Sequence, residues 1–140
     1  MVHRDSFMKG QDGEIKGEII EAVRLRAVEG EITCADASSI AGELNVAMGE
    51  IGVVLELLGI HITKCQLGLF GYAPRRMIIS PAETVDHEIE KAIREALVDH
   101  CLSCVASWEI AARSGVPRMK VSSACEALKI KIKPCQLGAF

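Results

Sequence analysis

Residues Ser107-Trp108-Glu109-Ile110-Ala111-Ala112-Arg113-Ser114-Gly115-Val116-Pro117-Arg118-Met119-Lys120-Val121 carry the pattern of two short helices joined by a tight turn. Ile110-Ala111 supplies an apolar spot on the first helix, and Gly115 sits where a helix C-terminus needs a left-handed residue. Val116-Pro117 makes the turn, with Pro117 placed near the start of the next helix. Val121, Ala124, Cys125 and Leu128 then follow at helical spacing. Seventy positions earlier the pattern recurs as Ile40-Ala41-Gly42-Glu43-Leu44-Asn45-Val46, with Ile51, Val54, Leu55 and Leu58 on the helix that follows.

The recurrence extends well beyond this stretch. Residues 14–70 and 84–140 align without a gap, and 18 of the 57 pairs are identical. Cys34 falls on Cys104, Ile60-x-Ile62 on Ile130-x-Ile132, and Cys65-Gln66-Leu67-Gly68-x-Phe70 on Cys135-Gln136-Leu137-Gly138-x-Phe140. Such self-similarity marks a duplicated structural unit. The chain therefore divides into a loose tail (1–13), a first copy (14–70), a linker with two prolines (71–83) and a second copy (84–140).

Each copy opens with a helix signalled by Ile15, Ile19, Val23 and Ala27 or by Val85, Ile89, Ile93 and Leu97. A break containing Cys34 or Cys104 leads into the paired helices. After the third helix, Gly59-Ile60-His61-Ile62-Thr63 and Lys129-Ile130-Lys131-Ile132-Lys133 alternate apolar and polar residues, the period of a half-buried strand. The shared tail, with a Gln between apolar residues and a Gly for a sharp turn, reads as a segment that folds back so that Leu and Phe cap the core.

The 140 residues are 49% hydrophobic and 25% charged, a globular balance that argues against disorder. Aromatics make up only 4%, so the core must be built from aliphatic side chains. No apolar run approaches the roughly 18 residues that span a bilayer, and the first residues lack the apolar core of a signal peptide. A cytoplasmic protein with reduced cysteines is expected. No nucleophile elbow, phosphate loop or paired-carboxylate site is present, which points away from an enzyme.

The order helix, helix, turn, helix, strand, with the motif quoted above, resembles the winged-helix (helix-turn-helix) superfamily of DNA-binding proteins. The expected fold is thus mainly α, with two tandem three-helix winged-helix-like modules and a short strand or wing after each third helix. The resemblance implies double-stranded DNA as partner, with the third helix in the major groove and the wing on the backbone. Charge favours the second copy for that work. Residues 14–70 carry four Lys/Arg against nine Asp/Glu, whereas residues 113–140 carry six basic residues and one acid. The candidate DNA-contacting residues are Arg113, Arg118, Lys120, Ser122, Ser123, Lys129, Lys131 and Lys133. The first copy, with Glu50 at the start of its third helix and apolar Met48, Ile51, Val53, Val54 and Leu57, is suited to assembly, with copy two or in a homodimer.

Two alternatives stand beside a transcription regulator of this kind. One is a protein-interaction scaffold of tandem winged helices. The other is a metal- or redox-responsive regulator, because Cys34, Cys65, Cys104 and Cys135 recur in both copies and Cys101-x-x-Cys104 has knuckle spacing. A metal ion or iron–sulfur cluster would need both copies, both subunits of a dimer or added ligands; buried reduced thiols filling a small core are the plainer reading.

Overall fold

The computed structural model describes the backbone of residues 2–72 and 77–139, and side chains within those limits from residue 13 onward. The first copy contains α1 (Val2–Arg26), β1 (Glu31–Thr33), α2 (Cys34–Leu44), α3 (Met48–Leu58) and β2 (His61–Thr63). The second contains α4 (His87–Ala96), β3 (Cys101–Leu102), α5 (Cys104–Ser114), α6 (Arg118–Leu128) and β4 (Lys131–Ile132). The mainly α expectation holds. The backbone of α1 reaches back to Val2, through residues expected as a tail, and the linker residues 73–76 lie outside the described residues.

Helix boundaries follow from residue chemistry. Thr33 and Ser103 cap α2 and α5 by accepting from the N–H groups of Asp36 and Ala106, both at 3.1 Å. The same helices end at Asn45 and Gly115, both left-handed (φ 55° and 66°). Asp86 caps α4 through the N–H groups of Glu88 and Ile89, which leaves Val85 outside the helix that its spacing had suggested.

Each copy also has a strand that its sequence did not announce. β1 pairs with β2 in parallel, Ile32 opposite Ile62, and β3 pairs with β4, Leu102 opposite Ile132. Parallel neighbours need a long crossover, which α2 and α3, or α5 and α6, provide. A two-residue reversal precedes each first strand. Val28 and Glu31 exchange backbone hydrogen bonds of 2.8 and 3.0 Å around Glu29 and Gly30, and Val98 and Cys101 do so around Asp99 and His100 at 2.9 and 3.0 Å. All four turn residues have positive φ, the geometry of a type I′ turn.

The strand after helix 3 thus pairs with the strand before helix 2. Among the described residues no second strand follows it to make a wing hairpin. Lys129, Lys131 and Lys133 accordingly border a two-stranded ribbon and not a projecting wing.

Two aliphatic cores form, and the tails are exchanged between them. Ile19, Val23, Ile40, Ile51 and Leu55 of copy one enclose Leu137 of copy two. Ile89, Ile93, Leu102, Ile110 and Val121 of copy two enclose Cys65 and Leu67 of copy one. The tail does cap a core with its Leu, as the sequence suggested, but it caps the other copy's core. Trp108 touches both cores. Fully burying a leucine contributes about 1.5–3 kcal/mol, so the exchange ties the copies together in both directions.

Candidate nucleic-acid interface

Cys65-Gln66-Leu67-Gly68 and Cys135-Gln136-Leu137-Gly138 form the same tight turn. The N–H of Gly68 donates to the Cys65 carbonyl at 2.9 Å, and that of Gly138 to the Cys135 carbonyl at 3.1 Å. In both copies the cysteine Sγ accepts from the leucine N–H two residues on, at 3.4 Å. Gly68 and Gly138 take φ of 74° and 81°, which a side chain would oppose.

This turn lies against the third helix of the other copy and settles the fate of several expected DNA contacts. Ser122 is fully buried, and its hydroxyl donates to the Leu67 carbonyl at 2.6 Å. It is enclosed by the exchanged tail and cannot meet a phosphate, which removes it from the expected set. Arg118 is half-buried; its guanidinium stacks 3.6 Å above the Trp108 ring and donates to Gln66 Oε1 at 3.2 Å. Ser123 is half-buried, and its carbonyl accepts from the linker's Ala82 N–H at 3.1 Å. Along α6 only Lys120 is exposed. The face that a major groove would need is therefore largely covered by the first copy's tail and the linker.

The remaining basic residues stay in solvent. Arg113 in the last turn of α5, Lys120, and Lys129, Lys131 and Lys133 around β4 are all exposed. The ion pairs among the described residues are Arg26–Glu43 at 2.6 Å and Arg94–Glu90 at 2.9 Å, and neither involves these five. Lys129 is also the left-handed cap (φ 60°) of α6, where a cation complements the negative end of the helix dipole.

On copy one, the corresponding helix presents a different surface. Ile51 and Val54 are buried in its own core, whereas Val53 (54% exposed) and Leu57 (65%) face outward between the exposed Glu50 and Glu56. Met48 is half-buried against that core.

The duplicated cysteines have structural work in the turn. Cys34 and Cys104 open α2 and α5, where backbone N–H groups of Gln66 and Gln136 point at their sulfurs. Gln136 Nε2 adds a bond to Cys104 Sγ at 3.4 Å. Burial pushes the Cys34 thiol up to about 11 and Cys125 up to about 12, and raises Cys65 and Cys104 as well. Burial thus disfavours the thiolate form at these four positions. Among the described residues no three His, Cys, Asp or Glu side chains converge as a metal-ligand set. Cys65, Cys104 and Cys135 all lie within electrostatic reach of Cys34.

The tail exchange is not legible from hydrophobic spacing, because a Leu that caps its own core and one that caps a neighbour's have the same spacing. The available signal was Gly52 and Ser122, small residues at matching positions of the two third helices. Comparison with protein-family models, curated proteins and solved structures gave no match. Among the described residues no helix is long and apolar enough to cross a membrane.

Proposed function

We propose that the chain is a DNA-binding protein of regulator type that holds duplex DNA by its phosphate backbone through the second copy. The observation that carries this reading is the exposed, unpaired basic group Arg113, Lys120, Lys129, Lys131 and Lys133 beside a helix-turn-helix. With α6 mostly covered, base reading falls to few side chains, so low sequence selectivity is part of the proposal. A homodimer would present two such faces and strengthen a contact that is weak in one copy.

The test is retention on random duplex DNA as a function of salt. Each phosphate neutralised contributes about 0.9 to the slope of log K against log salt. The triple variant Lys129→Glu, Lys131→Glu, Lys133→Glu should lower that slope by about 2–3 and weaken binding more than tenfold. Absence of binding at low salt, or an unchanged slope in the variant, would overturn the reading. Arg118 is a poor probe, since it also clasps Gln66.

A second reading rests on the acidic, apolar surface of α3. Val53 and Leu57 between Glu50 and Glu56 suit a basic amphipathic helix, and the chain would then be an interaction scaffold. Retention of a partner that is lost in Val53→Asp plus Leu57→Asp, with no affinity for DNA, would favour it.

A further inference from the structure

Cys34, Cys65, Cys104 and Cys135 stand at matching positions of the two copies, whereas Cys101 falls on Glu31 and Cys125 on Leu55. Cys125 and Leu55 are both buried, so the core accepts either side chain at that place. Core filling alone thus permits exchange of a cysteine for another apolar residue, and the four repeated thiols have not been exchanged.

The fold gathers these four at the junction of the copies. The N–H of Cys104 donates to the Pro134 carbonyl at 3.1 Å and Gln136 Nε2 to Cys104 Sγ at 3.4 Å, which sets Cys104 beside the Cys135 turn. The Gln66 N–H points at Cys34 Sγ, which sets Cys34 beside the Cys65 turn. The tail exchange joins the two pairs: Cys65 lies in one core with Cys104, and Cys135 packs against the other with Cys34. Cys34 is within electrostatic reach of the other three, and Cys104 of Cys65 and Cys135. Backbone N–H groups converge on the sulfurs as well, Leu67, Leu69 and Phe70 on Cys65, Gln136 on Cys104 and Leu137 on Cys135. A neutral thiol is a weak acceptor. Donors so arranged favour sulfur that carries negative charge, as backbone amides do around iron–sulfur clusters.

We propose that Cys34, Cys65, Cys104 and Cys135 hold an iron–sulfur cluster of the [4Fe–4S] type between the two copies. Four thiolates suit either one tetrahedral ion or a cluster. A single ion draws its sulfurs to one point, and among the described residues no three such side chains converge that way. A cluster takes each thiolate on a different iron and so fits a wider ring of sulfurs. On loading, the [4Fe–4S] core of charge 2+ and four thiols give a four-thiolate cluster of charge 2−, and four protons leave to solvent. The metal displaces the protons that burial favours, because a coordinating thiol is deprotonated outright. With ligands from both copies, the cluster pins the tail exchange and raises the melting temperature. This inference is independent of the nucleic-acid reading, in which no cysteine takes part.

The experiment is anaerobic reconstitution of the full chain with ferrous ion and sulfide in the presence of dithiothreitol, followed by desalting. The chain should retain about four iron and about four sulfide per molecule, absorb visible light through sulfur-to-iron charge transfer, and melt at a higher temperature than the metal-free chain. Cys135→Ala, at the least buried of the four, should lose most of the iron with its helical circular dichroism unchanged, and Cys101→Ser should keep it. Cys34→Ser, close in size to the parent, gives a second reading should Cys135→Ala lose its helical signal. Three results would overturn the proposal: no iron and sulfide retained by the parent chain, full retention in both Cys135→Ala and Cys34→Ser, or one zinc ion per chain that iron and sulfide do not replace.

Discussion

The hydroxyl of Ser122 donates to the carbonyl of Leu67, 55 residues earlier in the chain, across 2.6 Å and out of contact with solvent. At the matching position of the first copy stands Gly52, with the main chain of Leu137 against it so closely that a Cβ would fall on the leucine carbonyl oxygen. One copy satisfies the exchanged tail with a hydroxyl; the other admits it by having no side chain.

Ser122→Ala leaves the Leu67 carbonyl short of its buried donor, at a cost of about 1–3 kcal/mol. Gly52→Ala must displace the second tail and should cost about 1–3 kcal/mol through overpacking. Urea unfolding of the full chain checks both. A neutral result at both positions would mean that the tails do not dock on these helices.

The reversals before β1 and β3 give a prediction of opposite sign. His100 adopts φ 65° where copy one has Gly30 at φ 79°. A left-handed conformation costs a residue with a side chain about 1–2 kcal/mol. His100→Gly should therefore stabilise the chain by up to about 1 kcal/mol, and Gly30→Ala should destabilise it by about 1–2 kcal/mol. Melting temperatures of the two variants, moving in opposite directions from the parent, are the readout.

Buried thiols make stability fall at high pH. Burial lifts Cys34 to about 11 and Cys125 to about 12, against about 9 for an exposed thiol. Above pH 9 the unfolded chain loses these protons while the folded chain keeps them, so the stability present below pH 9 declines as pH rises toward 11–12. Each such group contributes a slope of about 1.4 kcal/mol per pH unit in that window. Urea midpoints under reducing conditions at pH 7, 9, 10 and 11 measure it. Cys125→Ala, although less stable at pH 7 through loss of packing, should show the shallower decline; equal slopes would refute the assignment.

Much of the local architecture was legible in the sequence. The repeat, the helix pair with its left-handed cap at Asn45 or Gly115, and the buried faces of α3 and α6 all follow from spacing. β1 and β3 were not legible, because Glu31-Ile32-Thr33 and Cys101-Leu102 do not lie in a longer alternating stretch such as the ones at 59–63 and 129–133 that announced β2 and β4. Thr33 and Ser103 were the available signal, as side chains that cap a helix and so end the segment before it. Of the candidate site residues, Lys129, Lys131 and Lys133 are exposed, as lysines on an alternating strand suggest, whereas Ser122, which reads as a polar surface residue, is a buried clasp.

The sequence by itself determined what is local: hydrophobic periodicity, turn residues and caps depend on neighbours a few positions away. It also determined the charge contrast between the copies, which no packing can change. Only the tertiary structure decided which core each Cys-Gln-Leu-Gly turn completes, and hence which face of α6 is covered. That choice depends on the path of the chain between the copies and on small residues at Gly52 and Ser122 admitting a segment from far away, neither of which hydrophobic spacing encodes.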